Sequence, residues 1–459
     1  MSQANHQGNS KIVFLEHNPF MSVELLDLLK DYKIICYNDD ETYRFLKRDW
    51  NLESYLNTKF DEEPESDKVA ETMLGDEAFL SRAIQNKTDS KILFFFMNRR
   101  MNEFREKAGI DMLLPPFELQ ERLGNKRFLS NICQKMFITE NKSLSFETIP
   151  KDINKLFRVC EESLDVPFIV QDALGESGWD TSLVNSEIEL KNALSKIKRE
   201  LRVTRYISNN IPISVHVCVL EKEIIIRGPW LQLVGLPELS TSPFRFAGND
   251  TNQSLLNKKL IEKVLDLSQS ISQFMKNEGY RGILGIDYLW DKNTDQIYPQ
   301  EINSRLVGLS RLLIGIQKDQ GLFPDLLKHI TAFGVPSYTE KTNSFHEGSI
   351  DFSVNNYSQV IVRNNKFEKV KVKKRLEPGI YKSDKDLLVK TKNSLFVQDM
   401  EKDEVLITYA AHKNCQLLSD EVIVRLILKE TVIDNSTYKL NNYAKQLVST
   451  IRNQVLIEE

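Results

Sequence analysis

The chain has little of what staples or metallates small proteins. Five cysteines (Cys36, Cys133, Cys160, Cys218 and Cys415) are scattered through 459 residues with no C-x-x-C pair. They imply neither a disulfide framework nor a zinc site, and they suit a reducing cytosol. The six histidines show no H-x-x-x-H or H-E-x-x-H spacing. No apolar stretch approaches the ~20 residues needed to span a bilayer, and the opening MSQANHQGNSK has no apolar signal-peptide core. A formal net charge of −4 gives no electrostatic case for general nucleic-acid binding. The expectation is a cytoplasmic protein with no membrane and no nucleic-acid partner. Two nucleotide signatures are also missing: no G-x-G-x-x-G follows the first apolar run, and no Gly-Lys-Ser/Thr of a Walker loop occurs.

What remains is a long chain of ordinary globular composition, enough for about three domains. KIVFLE, KIICY and KILFFFM, in the first hundred residues, are short, nearly unbroken apolar runs, the pattern of parallel strands buried on both faces. Between the first two, the leucines of SVELLDLLKD recur at helical spacing with Ser22 placed as N-cap. The acidic DEEPESD, Asp61 to Asp67, reads as an exposed loop. From Leu113, a Pro-Pro pair opens a new unit, with two helical segments around Gly124-Asn125-Lys126 and a strand at PFIVQDA. Strands RVTRYIS, ISVHVCVLE and EIIIRG follow, then a long helix from Leu255 to Gly279. RLLIGIQKDQGLFPDLLKHITAFG reads as helical and closes the unit near Gly334. Beyond Pro336, β-prone stretches (SIDFSV, YSQVIVR, EVLITYAA) alternate with polar turns. KVKVKKR there reads as the solvent face of a strand, and a final amphipathic helix carries Leu440, Tyr443, Leu447, Ile451 and Val455.

Most informative is GIDYLWDKNTDQIYPQEINSRLVG, Gly285 to Gly308. Two apolar runs flank a polar turn, which is a hairpin pattern. Asp287 and Glu301 are fourteen positions apart, so antiparallel pairing could place their carboxylates on one face. Asn303 follows Glu301 by two and points the same way, with Arg305 two further on. Two carboxylates and an amide oxygen suit a hard cation such as Mg²⁺, with Mn²⁺ as an alternative. An arginine beside them could hold a phosphate in its planar fork. The bland alternative is a solvated surface hairpin. It explains one acidic residue well and the E-x-N-x-R alternation inside an apolar strand poorly.

A second pattern is Gly175-Glu176-Ser177-Gly178-Trp179-Asp180-Thr181, between a strand and a helix. Such a loop can turn main-chain N–H groups toward a phosphate, although an ordinary tight turn is the better reading of these residues taken alone. Lys126 by itself reads as a helix-surface lysine.

The order of Lys126, glycine loop, hinge strand and acidic hairpin resembles the ATP-grasp superfamily, in which two α+β subdomains clamp ATP. The resemblance spans roughly Leu113 to Gly334. It implies an α/β and α+β fold divided into a βα pre-ATP-grasp domain (1–112), subdomain A with the glycine loop (113–205), subdomain B with the Mg-binding hairpin (206–336) and a β-rich C-terminal domain with a terminal helix (337–459). It further implies that Lys126 contacts phosphate, that Gly175, Ser177, Gly178 and Thr181 belong to the loop over the β and γ phosphates, and that Tyr206 and Ile207 meet adenine. Asp287, Glu301 and Asn303 match the Mg²⁺ ligands, and Arg305 the reaction-centre arginine. Gln171 stands where the family usually has a second phosphate lysine, and Thr204 and Arg205 stand where the hinge usually has an acidic residue. The glutamine, the G-x-SG-x-DT loop and the GND at Gly248 to Asp250 resemble peptide and amino-acid ligases of secondary metabolism.

The activity so implied is ATP-dependent joining of a carboxylate to an amine through an acylphosphate, with ADP and phosphate released. Transfer to a carrier-protein thiol, and a nucleotide-binding scaffold without catalysis, are the alternatives. A homodimer is a further expectation. Arg311 is a candidate for a substrate carboxylate or a plain helix-surface residue, and Trp230 and Gln232 in GPWLQLVGLPE are a candidate substrate wall, with Trp230 alternatively in the core.

Overall fold

The computed structural model describes residues 11–37, 40, 43–55, 66–84, 90–95, 97–175, 178–197, 200–334, 337–352, 355–384 and 386–456. Three sheets carry the architecture. The first is five-stranded and wholly parallel, in the order Leu52–Ser54, Tyr32–Cys36, Lys11–Glu16, Ser90–Leu93, Asp111–Met112. Its three central strands are apolar in their interiors because both faces are covered there: Phe14, Ile34, Ile35, Ile92 and Leu93 are all buried.

Expectation and structure part between the first two strands. SVELLDLLKD forms only a short 3-10 turn at Val23–Leu25, and Ser22 makes no side-chain cap. Ser22 is buried, and its hydroxyl donates to Glu16 Oε1. Leu25, Leu26, Leu28 and Leu29 are all buried, as is Glu24. A segment enclosed on every side has no polar face to present, and helical spacing of its leucines cannot reveal that. The acidic run Asp61 to Asp67 lies, as far as Glu65, outside the described residues.

The second sheet is four-stranded and antiparallel: Ser143–Phe146, Leu201–Arg205, Phe168–Asp172, Thr181–Val184. Helices Ile153–Leu164 and Glu187–Leu194 cover one face and close a small core of its own around Phe168, Val170, Leu190 and Val203. Asp152 and Ser186 cap these helices, each accepting from a backbone N–H three residues on.

The third sheet has ten strands and begins with the hairpin. Its order is Gln296–Asn303, Gly282–Asp291, Asn210–Val219, Ile224–Val234, Phe246–Asp250, Ser358–Arg363, Val422–Leu428, Glu404–Ala410, Gly379–Asp384, Leu387–Lys392. Strands from both sides of residue 336 therefore share one sheet, joined where Asn249 pairs Gln359. The long helix Lys258–Asn277, capped by Asn257, packs on Ile224–Val234. The predicted helical closing segment is two helices, Gly308–Asp319 and Asp325–Phe333, separated at Gly321 to Pro324. SIDFSV makes no strand among its described residues, and KVKVKKR contributes two strand residues, Val370–Lys371, with Val370 and Val372 inward. The terminal helix Asn442–Val455 packs beside Leu387–Lys392, tied by Leu388 N donating to Gln454 Oε1 at 2.9 Å.

Candidate active site

A cleft of about 1920 Å³ opens between the four-stranded sheet and the ten-stranded sheet, with the N-terminal domain forming a third wall. Lys126, Gln171, Gly175, Gly178, Thr181, Tyr206, Ile207, Asp287, Glu301, Asn303 and Arg305 all line it. Ser177 and Glu176 lie outside the described residues.

The hairpin places its acids by register. Asp287 pairs directly with Glu301, and Gly285 with Asn303. A bulge follows, because Tyr288 pairs Pro299 and Gln300 is the extra residue. Bulges re-aim side chains next to functional sites; here the Gln300 carbonyl accepts from Arg202 Nη1 at 3.1 Å. Asn303 Nδ2 donates to Asp287 Oδ2 at 2.9 Å. Ser214 and Gln232, from the next two strands, also hydrogen-bond the Asp287 carboxylate. The strand ends at Asn303, so Arg305 sits in the following bend and not on the alternating face. Its N–H donates to Asn303 O at 2.8 Å, its Nη1 to Leu306 O at 3.1 Å, and its guanidinium lies 5.4 Å from the Phe95 ring centre.

Lys126 is the first residue of Lys126–Lys135, whose N-cap Asn125 accepts from Arg127 N at 2.8 Å. The cap fixes where the helix begins and so where Lys126 points. Gly124 is required just before it: a Cβ there would stand 2.9 Å from Ser304 Oγ, which bonds Gln120 O at the end of the hairpin. The Lys126 side chain is 5 % exposed. Its ammonium bridges Gly175 O at 2.5 Å and Glu301 Oε1 at 3.1 Å. The lysine thus joins the start of the glycine loop to the acidic hairpin across the cleft.

Gly178 has φ +73°, and a Cβ on it would fall 2.0 Å from Phe244 O, so only glycine lets the loop lie this close to the facing segment. Trp179 stacks beside it, with the Arg245 guanidinium carbon 3.3 Å from its ring centre. At the hinge, Asn141 Nδ2 donates to Arg205 O at 2.7 Å and Asn210 Nδ2 to Ile207 O at 2.6 Å. Gln171 pairs with Thr181 on one side and Arg202 on the other.

Electrostatics act strongly on Asp287. Burial, and then the Glu301 charge, push the Asp287 carboxyl up to about 7, against the hydrogen bonds from Gln232 and Ser214 and the charge of Arg305. Two opposed carboxylates and an amide, one acid already reluctant to ionise, form a donor set whose repulsion a small dication would relieve. Among the described residues no group of three His, Cys, Asp or Glu could hold a metal. A cation at the hairpin would have two carboxylates, Asp287 and Glu301, and the amide oxygen of Asn303.

Two expectations are corrected. Arg311 is neither on a helix surface nor in the cleft: it is fully buried, donating to Glu24 Oε1 at 2.6 Å and Leu395 O at 2.7 Å. Trp230 is core, 1 % exposed and edge-on to Phe352, whereas Gln232 does face the cleft. Ser214 was missed. The signal for it lies in ISVHVCV, where Ser214, His216 and Cys218 alternate with valines on a strand.

The chain is similar along almost its whole length to solved structures. The biotin carboxylase domain of Hydrogenobacter thermophilus 2-oxoglutarate carboxylase, a dimer in complex with MgADP, ADP and bicarbonate, aligns with TM-score 0.63 and 14% identity over 93% of this chain and 87% of that one. Biotin carboxylase of Campylobacter jejuni, in a β,γ-ATP complex, gives 0.62 and 14% over 99% and 93%. Carboxyaminoimidazole ribonucleotide synthase of Aspergillus clavatus, complexed with ATP, gives 0.56 and 11% over 97% and 99%. The fold is ATP-grasp. No protein-family model and no curated protein sequence matches the chain. At these identities the ATP-grasp likeness is one of fold, and the residues of the cleft carry the functional argument. Among the described residues, no helix is long and apolar enough to cross a membrane.

Proposed function

We propose that this chain is an ATP-dependent carboxylate–amine ligase that forms an amide or peptide bond through an acylphosphate. One observation carries the reading: Asp287 and Glu301 face each other in register, and Lys126 ties Glu301 to the glycine loop, all inside one interdomain cleft. That ATP and MgADP occupy structures of the same fold supports ATP as the nucleotide.

In this reading Asp287, Glu301 and Asn303 hold Mg²⁺, or Mn²⁺, which when bound neutralises phosphate charge. Lys126 and Arg305 meet the β and γ phosphates, Gly175, Gly178 and Thr181 enclose them, and Gln171 donates a hydrogen bond without charge. Tyr206 and Ile207 frame the adenine. A substrate carboxylate oxygen attacks the γ phosphorus while the β–γ bridging bond breaks, giving acylphosphate and ADP. An amine nitrogen then attacks the acyl carbon, phosphate leaves, and the amine proton passes to solvent or phosphate. Such transfer needs alignment and charge stabilisation and no protein nucleophile. Gly178 held against Phe244 keeps the loop over the cleft, where exclusion of water protects the acylphosphate. The five cysteines are free thiols, in keeping with work in the cytoplasm. A homodimer is the oligomeric state to test.

The test is ADP and phosphate release from Mg²⁺-ATP with pooled carboxylates and amines. Substrate-dependent ADP with an amide product is expected. Release of AMP and pyrophosphate would sink the reading. ADP release that depends on a carrier-protein thiol would make the acceptor sulfur, and nucleotide binding without any stimulated release would make the chain a scaffold.

A further inference from the structure

The hinge side of the cleft holds an amide whose orientation is fixed and whose oxygen is unpaired. Asn141 lies two residues before the Ser143–Phe146 strand, at the edge of the four-stranded sheet. It lines the cleft with Thr204, Arg205, Tyr206 and Ile207, and is 1 % exposed. Its Nδ2 donates to Arg205 O at 2.7 Å, and Arg205 N donates to Lys142 O at 2.9 Å, so Asn141 is tied to the hinge through side chain and neighbouring backbone. A carbonyl can only accept, so the amide nitrogen has to face Arg205. The oxygen is left on the other side of the amide, buried and without a hydrogen-bond partner.

The other buried asparagines differ. Among the described residues these are Asn102, Asn249, Asn252 and Asn364. The oxygen of each accepts a bond, from Arg105 Nη2, Gln359 Nε2, Ser254 N and Lys366 N respectively. A buried acceptor left unbonded has given up its bonds to water and gained none, so Asn141 calls for a donor from outside the chain. The surroundings describe that donor. Ile169 pairs in register with Thr204 and lines the cleft from the four-stranded sheet. Pro212 and Leu289, paired with each other, line it from the ten-stranded sheet. Apolar side chains from both sheets, beside the polar groups of the hinge, suit a flat ring with an amino group on its rim. Adenine carries that group where guanine carries a carbonyl oxygen, which would meet Asn141 Oδ1 acceptor to acceptor.

We propose that Asn141 reads the base of the nucleotide: its oxygen accepts from the 6-amino group of adenine while its nitrogen holds the Arg205 carbonyl, and this selects adenine over 6-oxopurines. The proposal rests on the reading of the cleft as a nucleotide site, and its test measures binding alone. In the complete protein with Mg²⁺, a ribose-labelled fluorescent ATP analogue is displaced by three competitors. These are ATP, inosine triphosphate with its 6-oxo group, and purine riboside triphosphate with only hydrogen at that position. ATP is expected to bind about tenfold or more tightly than purine riboside triphosphate, the scale of one lost bond to a buried group, and more tightly again than inosine triphosphate.

Asn141→Leu and the smaller Asn141→Ala remove the oxygen. Each should bring the preference for ATP over purine riboside triphosphate within about threefold. A residue that merely supports the hinge would, when lost, weaken all three competitors in proportion; unchanged ratios in a folded variant would therefore overturn the proposal. So would equal binding of ATP and purine riboside triphosphate to the wild-type protein, which would assign the oxygen to solvent, or binding of none of them at millimolar concentration. The wild-type comparison decides whether or not either variant folds. Failure of the ligase reading looks different: ATP is preferred through Asn141, yet no carboxylate and amine release ADP.

Discussion

Two buried clusters of acids and bases in this molecule have similar ingredients and opposite logic. In the first, Glu24 is fully enclosed and bonded by Arg311 at 2.6 Å, Lys318 at 2.7 Å and the Val397 N–H at 3.1 Å. Lys318 also reaches Asp27 at 2.8 Å. Burial opposes ionisation of Glu24, but Lys318 and Arg311 outweigh it, and the carboxyl is pulled down to about 2. In the second, Asp287 faces another carboxylate, and burial and repulsion drive it up to about 7. The first cluster is closed and joins the N-terminal domain to the Gly308–Asp319 helix. The second opens onto a cleft: Lys126 reaches Glu301 at 3.1 Å, while Asp287 is held by the neutral donors Asn303, Ser214 and Gln232. A buried charge whose bonds are complete is a structural tie. One whose neighbour has the same sign is a candidate for ligand binding.

The contrast can be broken in order of expected effect. Glu24→Ala leaves Arg311 and Lys318 buried without their shared partner, and should cost about 3–5 kcal/mol of stability by denaturant unfolding. The Glu24 contribution is present above the ordinary carboxylate range and is lost as pH falls towards 2, because its folded pKa is depressed. A loss under 1 kcal/mol would place this cluster with the ligand-binding kind. Glu301→Gln should reduce substrate-dependent ADP release on the order of 10³-fold with unfolding unchanged within about 1 kcal/mol; near-normal turnover would remove Glu301 from the metal set.

Asp287→Asn separates the clusters by sign. Asp287 is raised, so its ionisation costs stability as pH rises through about 7. The substitution should stabilise the metal-free protein on the order of 2 kcal/mol near pH 8 and abolish stabilisation by Mg²⁺. Destabilisation would show that Asp287 is a structural tie like Glu24. The smallest effect is Gln171→Lys. It should fold and tighten Mg²⁺-ATP binding by less than about tenfold in a titration, the scale of one partly screened charge. A collapse of turnover would give Gln171 its own task.

Legibility followed the range of the interactions. The hairpin was readable because pairing of near neighbours is a local matter: alternation and a polar turn put Asp287 opposite Glu301 with little help from elsewhere. The helix start at Lys126 was readable because Asn125 caps it in sequence. Arg305 was readable as a neighbour of the acids, but not its bend, since nothing in an alternating pattern says that the strand ends at Asn303. Arg311 and Ser22 were misread because their partners, Glu24 with Leu395 and Glu16, come from other elements.

By itself the sequence determined the parallel apolar strands of the first domain, the paired acids of the hairpin and the order of pieces that resembles a nucleotide clamp. These depend on side-chain periodicity and short-range pairing, which a linear text preserves. Tertiary structure decided which charges are satisfied. It set Arg311 on Glu24, drew Ser214 and Gln232 to Asp287, carried the hairpin's sheet on through the C-terminal strands, and brought Arg245 to within 3.9 Å of Asp420. Compensation of a buried charge depends on groups distant in sequence, and only folding brings them within bonding range.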